Sequence, residues 1–509
     1  MLFWDAILPA DLKPRINRMP DQEPDDLTHL TATAAADLIR QRKVAPIELV
    51  DASIAQIEAI NPTLNAVVTT CFERARDEAR RMADVTPESM PPLHGIPVLI
   101  KDNQLTEGVA TTLGSPVHKD RVPSDDAGIV KRLRNTGAIV LGKTNIPEFS
   151  IGANTTNPLF GPTSNPFATD LTCGGSSGGS AVAVATNMAP LATGSDHGGS
   201  LRIPASYCGV VGYRASPGVV PNEERTTPTT HYSLQGPVAR CVDDAALMLS
   251  IIADRSAGGS RDPMAYPLDT GAFRELAVTD LSQLRVAVSA DLGGLLVSQA
   301  NQQAFADRVA QFSGLFKRCD WHDISLAAAP AVDWLLRQDV FVTQYFDQAA
   351  AWPTDMNPNV LATYNTALKT PMADIASARR QQLELIRTCQ DLFDAYDLLI
   401  IPGMSVPPFP HTQLYPELID GKPVENYMGW LGLTASLTVV GHPVIMLPAG
   451  LDEGGLPFGI QVVGPMYADH KLLSAAKQIE QAFVDIDLLR RPEADLVNGN
   501  RQNHQRQDP

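Results

Sequence analysis

Two serines, each flanked by glycines, are the residues of this sequence whose types and spacing point most directly to chemistry. Ser176 lies in Gly-Gly-Ser-Ser-Gly-Gly, and Ser200 lies in Asp-His-Gly-Gly-Ser-Leu-Arg. Glycine adopts positive φ without a Cβ clash, so a serine beside glycines can project its Oγ from a tight turn while neighbouring N–H groups face the same point. The pattern predicts a serine nucleophile next to backbone donors that bind a developing oxyanion.

The segment between the two serines is predicted to bring them together. Residues 178–188 are small and favour a close-packed helix, and residues 189–194 are typical of a short buried strand. A helix followed by a returning strand places Ser176, at the helix start, near Ser200, just past the strand. We therefore expect the two hydroxyls to share one site.

A base for these hydroxyls is available upstream. Lys101 follows the apolar run 96–100, which favours a buried strand. Burial disfavours the charged ammonium, and the positive end of the predicted 178–188 helix acts in the same direction. We expect the pKa of Lys101 to be low enough for the amine to accept a proton near neutral pH.

Together these residues resemble the core of the amidase signature family, whose members use a Ser-cisSer-Lys triad. The resemblance assigns the base to Lys101, the bridging serine on a cis peptide bond to Ser176, and the nucleophile to Ser200. It extends over residues 28–485 through further similar segments: Gly142-Lys-Thr-Asn, Glu148-Phe, 160–166, 236–240 and 441–450.

The resemblance implies both a fold and an activity. The expected fold is α/β, with a large mixed central β-sheet covered on both faces by α-helices. The expected activity is hydrolysis of carboxylic amide bonds, with esters or carbamates as further substrates, through an acyl-enzyme intermediate. No metal or organic cofactor is required by this chemistry.

Residues around Ser200 complete the predicted site. The candidate oxyanion donors are four consecutive backbone N–H groups: His197, Gly198, Gly199 and Ser200. Three side chains are expected to support the site: Ser177, Asp196 and Arg202. Asp196 and Arg202 are expected to brace the loop rather than to react. Ser195 and His197 stand where the family varies; we expect His197 to contribute only its backbone N–H, the alternative being an imidazole that narrows the pocket or binds substrate.

Substrate specificity is predicted to lie in residues 305–435, where aromatic side chains are concentrated. These are Trp321, Trp334, Phe341, Tyr345, Phe346, Trp352, Tyr364 and Trp430. An aromatic lining favours substrates with apolar or aromatic groups beside the scissile amide. Some of these residues are expected to fill ordinary core instead.

Three other interpretations compete for the same residues. Residues 137–144 match the P-loop expression, but their four variable positions are themselves the predicted strand, which argues against nucleotide binding. Residues 174–178 match the nucleophile elbow of α/β-hydrolase esterases, yet 165–173 make a poor preceding strand. The third alternative is a glutaminase-type amidotransferase subunit that works in a complex.

Composition limits the class of protein and its partners. The chain has 509 residues and a formal net charge of −17, which argues against nucleic acid and anionic membrane as partners. Its six cysteines are scattered, with no metal-ligand spacing, and are expected to be small buried residues in a reducing compartment. No secretory signal or transmembrane run is visible, so we expect a cytoplasmic enzyme with a small-molecule amide substrate and leave a homodimer open.

The expected organisation is one catalytic domain between two extensions. Residues 1–27 are interpreted as an N-terminal extension, 28–485 as the amidase signature domain with its core at about 90–220, and 486–509 as a polar tail that is disordered from about residue 494. Residues 255–280 are interpreted as a linker. Predicted helices begin at Pro46 and span 125–135 and 371–395; predicted strands include 138–141, 286–288, 398–401 and 444–447.

Overall fold

The computed structural model describes residues 27–494, except residues 257, 353, 355, 357, 425 and 426. The predicted N-terminal extension, apart from its last residue, and the predicted disorder beyond residue 494 lie outside this description. The fold is α/β, as predicted.

The strands of the described residues are β1 (Val67–Thr70), β2 (Pro97–Lys101), β3 (Ile139–Thr144), β4 (Leu191–Asp196), β5 (Val211–Arg214), β6 (Leu234–Ala239), β7 (Arg285–Val288), β8 (Arg318–Trp321), β9 (Leu398–Pro402), β10 (Leu418–Ile419), β11 (Lys422–Pro423), β12 (Val444–Leu451) and β13 (Pro457–Val463).

The α-helices are α1 (Ala32–Arg40), α2 (Pro46–Leu64), α3 (Phe72–Met82), α4 (Gly128–Asn135), α5 (Gly178–Ala185), α6 (Arg202–Cys208), α7 (Val242–Ile252), α8 (Gln299–Phe312), α9 (Ala329–Ala351), α10 (Pro358–Ala367), α11 (Met372–Ala395), α12 (Gly432–Val440) and α13 (Asp469–Val484).

One mixed sheet of 11 strands organises the molecule, in the order β1-β3-β2-β4-β6-β5-β12-β13-β9-β7-β8. Strand β2 runs parallel to both β3 and β4, whereas β4–β6, β5–β12 and β12–β13 are antiparallel. Because β12 pairs with β5, strands from both halves of the chain belong to the same sheet.

Alternating side chains bury the sheet on both faces. Along β2, Val98 and Ile100 belong to one hydrophobic cluster, whereas Leu99 belongs to another. Successive strand residues point to opposite faces, so the two clusters lie on opposite sides of the sheet. Helices α1, α4, α7, α8 and α13 contribute to the first cluster, and α2, α3, α5 and α6 to the second.

Most predicted elements are found close to their predicted bounds, and the differences have local causes. The helix expected over 178–188 ends at Ala185, because Asn187 adopts a left-handed φ of +60°. The helix expected over 125–135 begins at Gly128, whose N–H donates to the Glu224 carboxylate at 3.1 Å.

The prediction of a linker over 255–280 is wrong. The supposed linker packs against the rest of the chain: Phe273 and Asp262 are buried, and Asp262 accepts a hydrogen bond from Arg225 Nε at 3.0 Å. Within the predicted polar tail, Leu489 is buried in the main hydrophobic core.

Candidate active site

Lys101 lies at the carboxyl end of β2 and is 0% exposed. Its backbone N–H donates to Thr193 Oγ1 at 2.9 Å, which fixes β2 against β4. Its Nζ lies 2.8 Å from Ser176 Oγ, 2.8 Å from Ser177 Oγ and 2.9 Å from Ser195 Oγ. The amine is therefore held among three hydroxyls and is enclosed by protein.

The environment of Lys101 favours its neutral form. Burial lowers the pKa of Lys101 from 10.5 to about 7, and the carboxylate of Asp196 opposes this shift only in part. A neutral amine has two N–H donors and one lone pair, so three hydroxyl partners match it only if one of them donates to Nζ. Ser177 already donates to the carbonyl of Ser195 at 3.2 Å. That leaves the hydroxyls of Ser176 and Ser195 able to donate a proton to the amine.

Ser176 stands at the entrance to α5, the helix of small residues. The peptide bond between Gly175 and Ser176 is cis, and Gly174 has a φ of +78°. All eight residues of α5 are buried, and a Cβ on Gly179 would lie 2.4 Å from the Asn145 backbone nitrogen. Small side chains thus allow α5 to lie close enough to its neighbours for Ser176 and Ser177 to reach Lys101.

Ser200 lies in the loop between β4 and α6 and is 9% exposed. Its carbonyl accepts a hydrogen bond from the Ser177 N–H at 3.2 Å, so the two glycine-rich segments are in direct contact, as their spacing predicts. Ser176 and Ser200 line the same cavity. Among the described residues, no hydrogen bond joins their hydroxyls directly.

The loop before Ser200 presents backbone donors, but one of the four predicted donors is already engaged. The Gly199 N–H donates to Asp196 Oδ1 at 2.7 Å. Within the described chain, the N–H groups of His197, Gly198 and Ser200 have no such acceptor. Gly199 is required at its position, because its φ is +129° and a Cβ there would lie 2.6 Å from Thr434 Oγ1.

Asp196 holds this loop through a buried ionic network. Its carboxylate accepts hydrogen bonds from Arg202 Nε at 3.0 Å and from Arg214 Nη1 at 2.9 Å. Although burial opposes ionisation, the two guanidinium groups hold the pKa of Asp196 well below its usual range. Arg202 also donates to Gln461 Oε1 in β13 and to Thr438 Oγ1 in α12, so the loop is tied to the C-terminal strands.

The environment of the His197 side chain argues against a role as acid or base. Its Nδ1 lies 2.9 Å from Ser233 Oγ, and its ring packs on Tyr232 with centroids 4.8 Å apart. Burial, with the charges of Arg337 and Arg214, lowers the pKa of His197 to about 3. The imidazole is therefore neutral at physiological pH.

A cavity of about 960 Å³ opens over Ser176 and Ser200. One part of its wall is apolar and aromatic: Phe149, Ile151, Ile203, Trp334, Phe341, Tyr345 and Leu431. Another part is polar: His197, Asn222, Ser233, Gln235, Arg337 and Gln338. The volume suits a small organic molecule with both kinds of surface.

Comparison with known proteins identifies the family. A model of the Amidase family matches residues 48–473. The chain belongs to the amidase family. An acylamidase of Rhodococcus erythropolis is 31% identical to this amidase over 466 residues, which cover 89% of this chain and 96% of the relative.

Two further relatives of this amidase are an amidotransferase subunit and an aryl acylamidase. A glutamyl-tRNA(Gln) amidotransferase subunit of Moorella thermoacetica is 31% identical over 483 residues, which cover 90% of this chain and 97% of the relative. The crystal structure of a bacterial aryl acylamidase of the amidase signature enzymes matches with a TM-score of 0.80 and 27% identity, covering 89% of this chain and 96% of the other. The chain is an amide hydrolase with the amidase signature fold, as predicted.

The predicted aromatic residues divide into two groups in this amidase. Trp334, Phe341 and Tyr345 line the cavity. The others do not: Trp430 is fully buried in core, Tyr364 and Trp352 pack around Phe149, and Trp321 and Phe346 are 55% and 59% exposed. Local spacing on a helix does not reveal which neighbour an aromatic side chain meets, so the sequence did not separate these groups.

Sequence reasoning missed several residues of the site. Asn103 donates to Ser195 Oγ at 3.1 Å, and Ser195 in turn contacts Lys101. The nearness of Asn103 to Lys101, two residues earlier, was the available signal. Arg214 and Arg337 carry no local motif, and only the fold brings them to the loop before Ser200.

The P-loop interpretation does not fit the geometry of this amidase. Gly142, Lys143 and Thr144 lie within β3, and Lys143 Nζ is hydrogen-bonded to Thr106 and Thr111, so no phosphate loop exists there.

Burial raises the pKa of Cys173 to about 12, and the thiol does not line the cavity. In the described ranges all six cysteines are unpaired, and no three His, Cys, Asp or Glu side chains are grouped to hold a metal ion. None of the described helices has the length and apolar character needed to cross a bilayer.

Proposed function

We propose that Ser200 attacks the amide carbonyl of the substrate, with Ser176 as the bridging hydroxyl and Lys101 as the general base. The observation that carries the proposal is the 2.8 Å contact between Lys101 Nζ and Ser176 Oγ at the base of a cavity that also exposes Ser200. A pKa of about 7 for Lys101 supports the proposal, because Lys101 is then neutral in half or more of the molecules at and above pH 7.

The relay moves protons without a cofactor. Ser200 Oγ forms a bond to the carbonyl carbon while its proton passes to Ser176 Oγ, whose own proton passes to Lys101 Nζ. The carbonyl oxygen becomes an oxyanion that the free N–H groups of the 197–200 loop stabilise; losing one such donor typically costs about 3 kcal/mol. The protons then return to the leaving amine as the C–N bond breaks, and water cleaves the acyl-enzyme by the same steps.

Supporting residues fix the groups that react. Ser177 accepts a hydrogen bond from Lys101 and donates to Ser195, which holds the amine beside Ser176. Asp196 and Arg202 orient the loop that carries Ser200. These residues are proposed to position the reacting groups rather than to exchange protons with the substrate.

We propose that the substrate carries an apolar or aromatic group beside the scissile amide. The cavity offers Phe149, Phe341 and Tyr345 as a contact surface for it. The acylamidase and the aryl acylamidase among the relatives support this class. A panel of anilides, aliphatic amides and glutamine tests it; tenfold faster cleavage of glutamine than of anilides would contradict it.

A glutaminase-type component of a larger complex is the second candidate, because the Moorella amidotransferase relative is as similar to this chain as the acylamidase, at 31% identity each. Its test is copurification of partner chains together with glutamine hydrolysis. A homodimer, a cytoplasmic location and a catalytic domain spanning 28–485 stay predictions.

Covalent labelling tests the nucleophile. A fluorophosphonate should add to the Ser200 peptide, and Ser200→Ala should abolish both labelling and amide hydrolysis while the circular dichroism spectrum stays unchanged. Cys389→Ser, which does not line the cavity, is the control that should label normally. Mass spectrometry that finds the label on Ser176 or Ser177 would instead favour an esterase-like elbow.

A further inference from the structure

An arginine from helix α9 reaches the loop that precedes Ser200. Arg337 lines the cavity together with His197, Gly198 and Ser200, and its side chain is 15% exposed. A Cβ on Gly198 would lie 3.1 Å from Arg337 Nη2, so the guanidinium lies against the backbone two residues before the proposed nucleophile.

One edge of this guanidinium is fixed by a buried carboxylate. Arg337 Nε and Nη2 donate to Asp333 Oδ2 at 2.9 and 2.6 Å. Asp333 is fully buried, and its Oδ1 accepts a hydrogen bond from Tyr232 at 3.0 Å. Tyr232 is also the residue on which the His197 ring packs. The chain therefore holds Arg337 in a single orientation.

The other edge of the guanidinium has no partner in the described chain. Nη1 donates to no acceptor there, and Nη2 retains a second N–H. Two parallel N–H groups match the two oxygens of a carboxylate, and such charge-assisted pairs are among the stronger polar contacts in proteins. The two carboxylates of the cavity wall are engaged elsewhere: Glu148 accepts from Ser115 and Glu224 from the Gly128 N–H.

Helix geometry relates this edge to the aromatic wall. Phe341 and Tyr345 follow Arg337 at intervals of four residues, so the three side chains share one face of α9. Each interval advances about 6 Å along the axis. Arg337 therefore lies against the loop before Ser200, and Phe341 and Tyr345 lie about one and two helical turns farther along α9.

We propose that Arg337 binds a carboxylate of the substrate, so that the preferred substrates are amides that carry a carboxylate in addition to the apolar or aromatic group beside the scissile bond. This inference rests on the proposed function and narrows its substrate class. Arg337 is then a specificity residue: it should affect acidic substrates and leave their neutral analogues largely unchanged.

Matched substrate pairs test the inference. In the first pair, N-phenylsuccinamate carries a carboxylate on the acyl side of the amide, and its methyl ester lacks that charge. In the second pair, 4-acetamidobenzoate carries a carboxylate on the amine side, and its methyl ester lacks it. The rate is measured from the released arylamine. We expect the wild type to prefer the acid at least tenfold in kcat/KM in one pair. Arg337→Met should lower kcat/KM for that acid about 10- to 100-fold and change that of the ester less than threefold.

Controls separate binding from folding. Arg337→Met leaves Asp333 buried without its cation, so the double variant Asp333→Asn/Arg337→Met removes both charges and should show the same loss of selectivity. Arg337→Lys should recover part of it. An equal loss on acid and ester in all variants, or no preference for either acid in the wild type, would overturn the inference.

A binding measurement keeps the inference separate from the proposed mechanism. In the Ser200→Ala background, calorimetry should show that the preferred acid binds at least tenfold more tightly than its ester, and that Arg337→Met removes the difference. If this holds while the wild type turns over no amide, the proposed function fails and the carboxylate subsite stands. If amides are hydrolysed and the acid binds no better than the ester, the subsite fails alone.

Discussion

At the scale of single residues, burial determines how readily Lys101 loses its proton. Its side chain is enclosed and contacts hydroxyls rather than carboxylates, so the ammonium form loses hydration and is compensated only in part by the charge of Asp196. Lys143, on the adjacent strand β3, is equally buried, and burial lowers its pKa to about 8. The two lysines differ in what they touch: Lys143 contacts the hydroxyls of Thr106 and Thr111 and the backbone carbonyl of Gln104, and none of the serines of the site.

The pH profile tests the role of Lys101. Because the neutral amine is the proposed active form and the pKa of Lys101 is about 7, kcat/KM should rise with pH through an apparent pKa near 7 and then level off. Lys101→Met should lower kcat at least about 100-fold and remove this limb. Lys143→Met is the matched control, since it removes a buried lysine outside the relay. Near-normal turnover of Lys101→Met with an unchanged profile would refute the proposed base.

Burial of Lys101 also predicts a pH-dependent stability. The pKa of Lys101 is lower in the folded than in the unfolded state. Burial of this lysine therefore lowers the free energy of unfolding most at and below pH 7, and the loss declines as the pH rises towards 10.5. Lys101→Met should therefore raise the Tm most near pH 6 and less near pH 9.5. Thermal unfolding followed by circular dichroism measures this; a gain in Tm that grows with pH would show the opposite sign and contradict the shift.

At the scale of elements, the loop between β4 and α6 is held in a conformation that only glycine reaches without strain. Its residue Gly199 combines a φ of +129° with close contact to Thr434. Gly294 has a φ of +104° with open space around its Cα. Replacing either glycine with alanine would therefore strain the backbone, but only at Gly199 would the new Cβ also clash with a neighbouring residue.

Substitution of these two glycines separates the effect of backbone strain from the effect of displacing the loop before Ser200. Gly199→Ala and Gly294→Ala should each cost about 1–3 kcal/mol of stability from backbone strain. Only Gly199→Ala should also shift the backbone donors and lower kcat, by about 10- to 100-fold. Steady-state kinetics and thermal unfolding of both variants provide the comparison. Equal kcat values in the two variants would mean that the loop position is not critical.

The network around Asp196 joins this loop to α12 and β13. Asp196→Asn removes the carboxylate that two buried arginines share, and leaving such charges unpaired costs about 3–5 kcal/mol. Asp487→Asn, at an exposed pair with Arg490, should leave stability nearly unchanged. Urea unfolding at pH 7 measures both. A loss below about 1 kcal/mol for Asp196→Asn would show that the network is not what holds the loop.

At the scale of the whole molecule, one sheet joins the two halves of the chain. Strand β5 pairs with β12, and Arg202 reaches from α6 to Gln461 on β13. Residues 255–280 pack against this unit instead of separating two domains. The chain should therefore unfold in a single calorimetric transition. Two separable transitions, or a stably folded fragment that ends before residue 281, would contradict this.

Much of this protein could be predicted from local sequence, because local patterns report local physics. Small residues after Ser176 predicted a close-packed helix, and apolar runs before Lys101 and Ser200 predicted buried strands. Helix α4 and strand β3 separate β2 from α5 along the chain, and the pairing of β2 with β4 brings Lys101 into contact with Ser176 and Ser177. The α/β class follows from the same alternation of strands and helices.

Tertiary structure alone decided the features that depend on distant segments. The Gly199 N–H is taken by Asp196, whose geometry is set in part by Arg214 on β5, and Leu489 is buried by contacts with a core formed far upstream. Arg337 meets the Ser200 loop because the segment before β6 and helix α9 converge on the cavity through Tyr232 and Asp333. Such contacts arise from strand order and helix packing, and neither periodicity nor spacing along the chain encodes which distant side chains will meet.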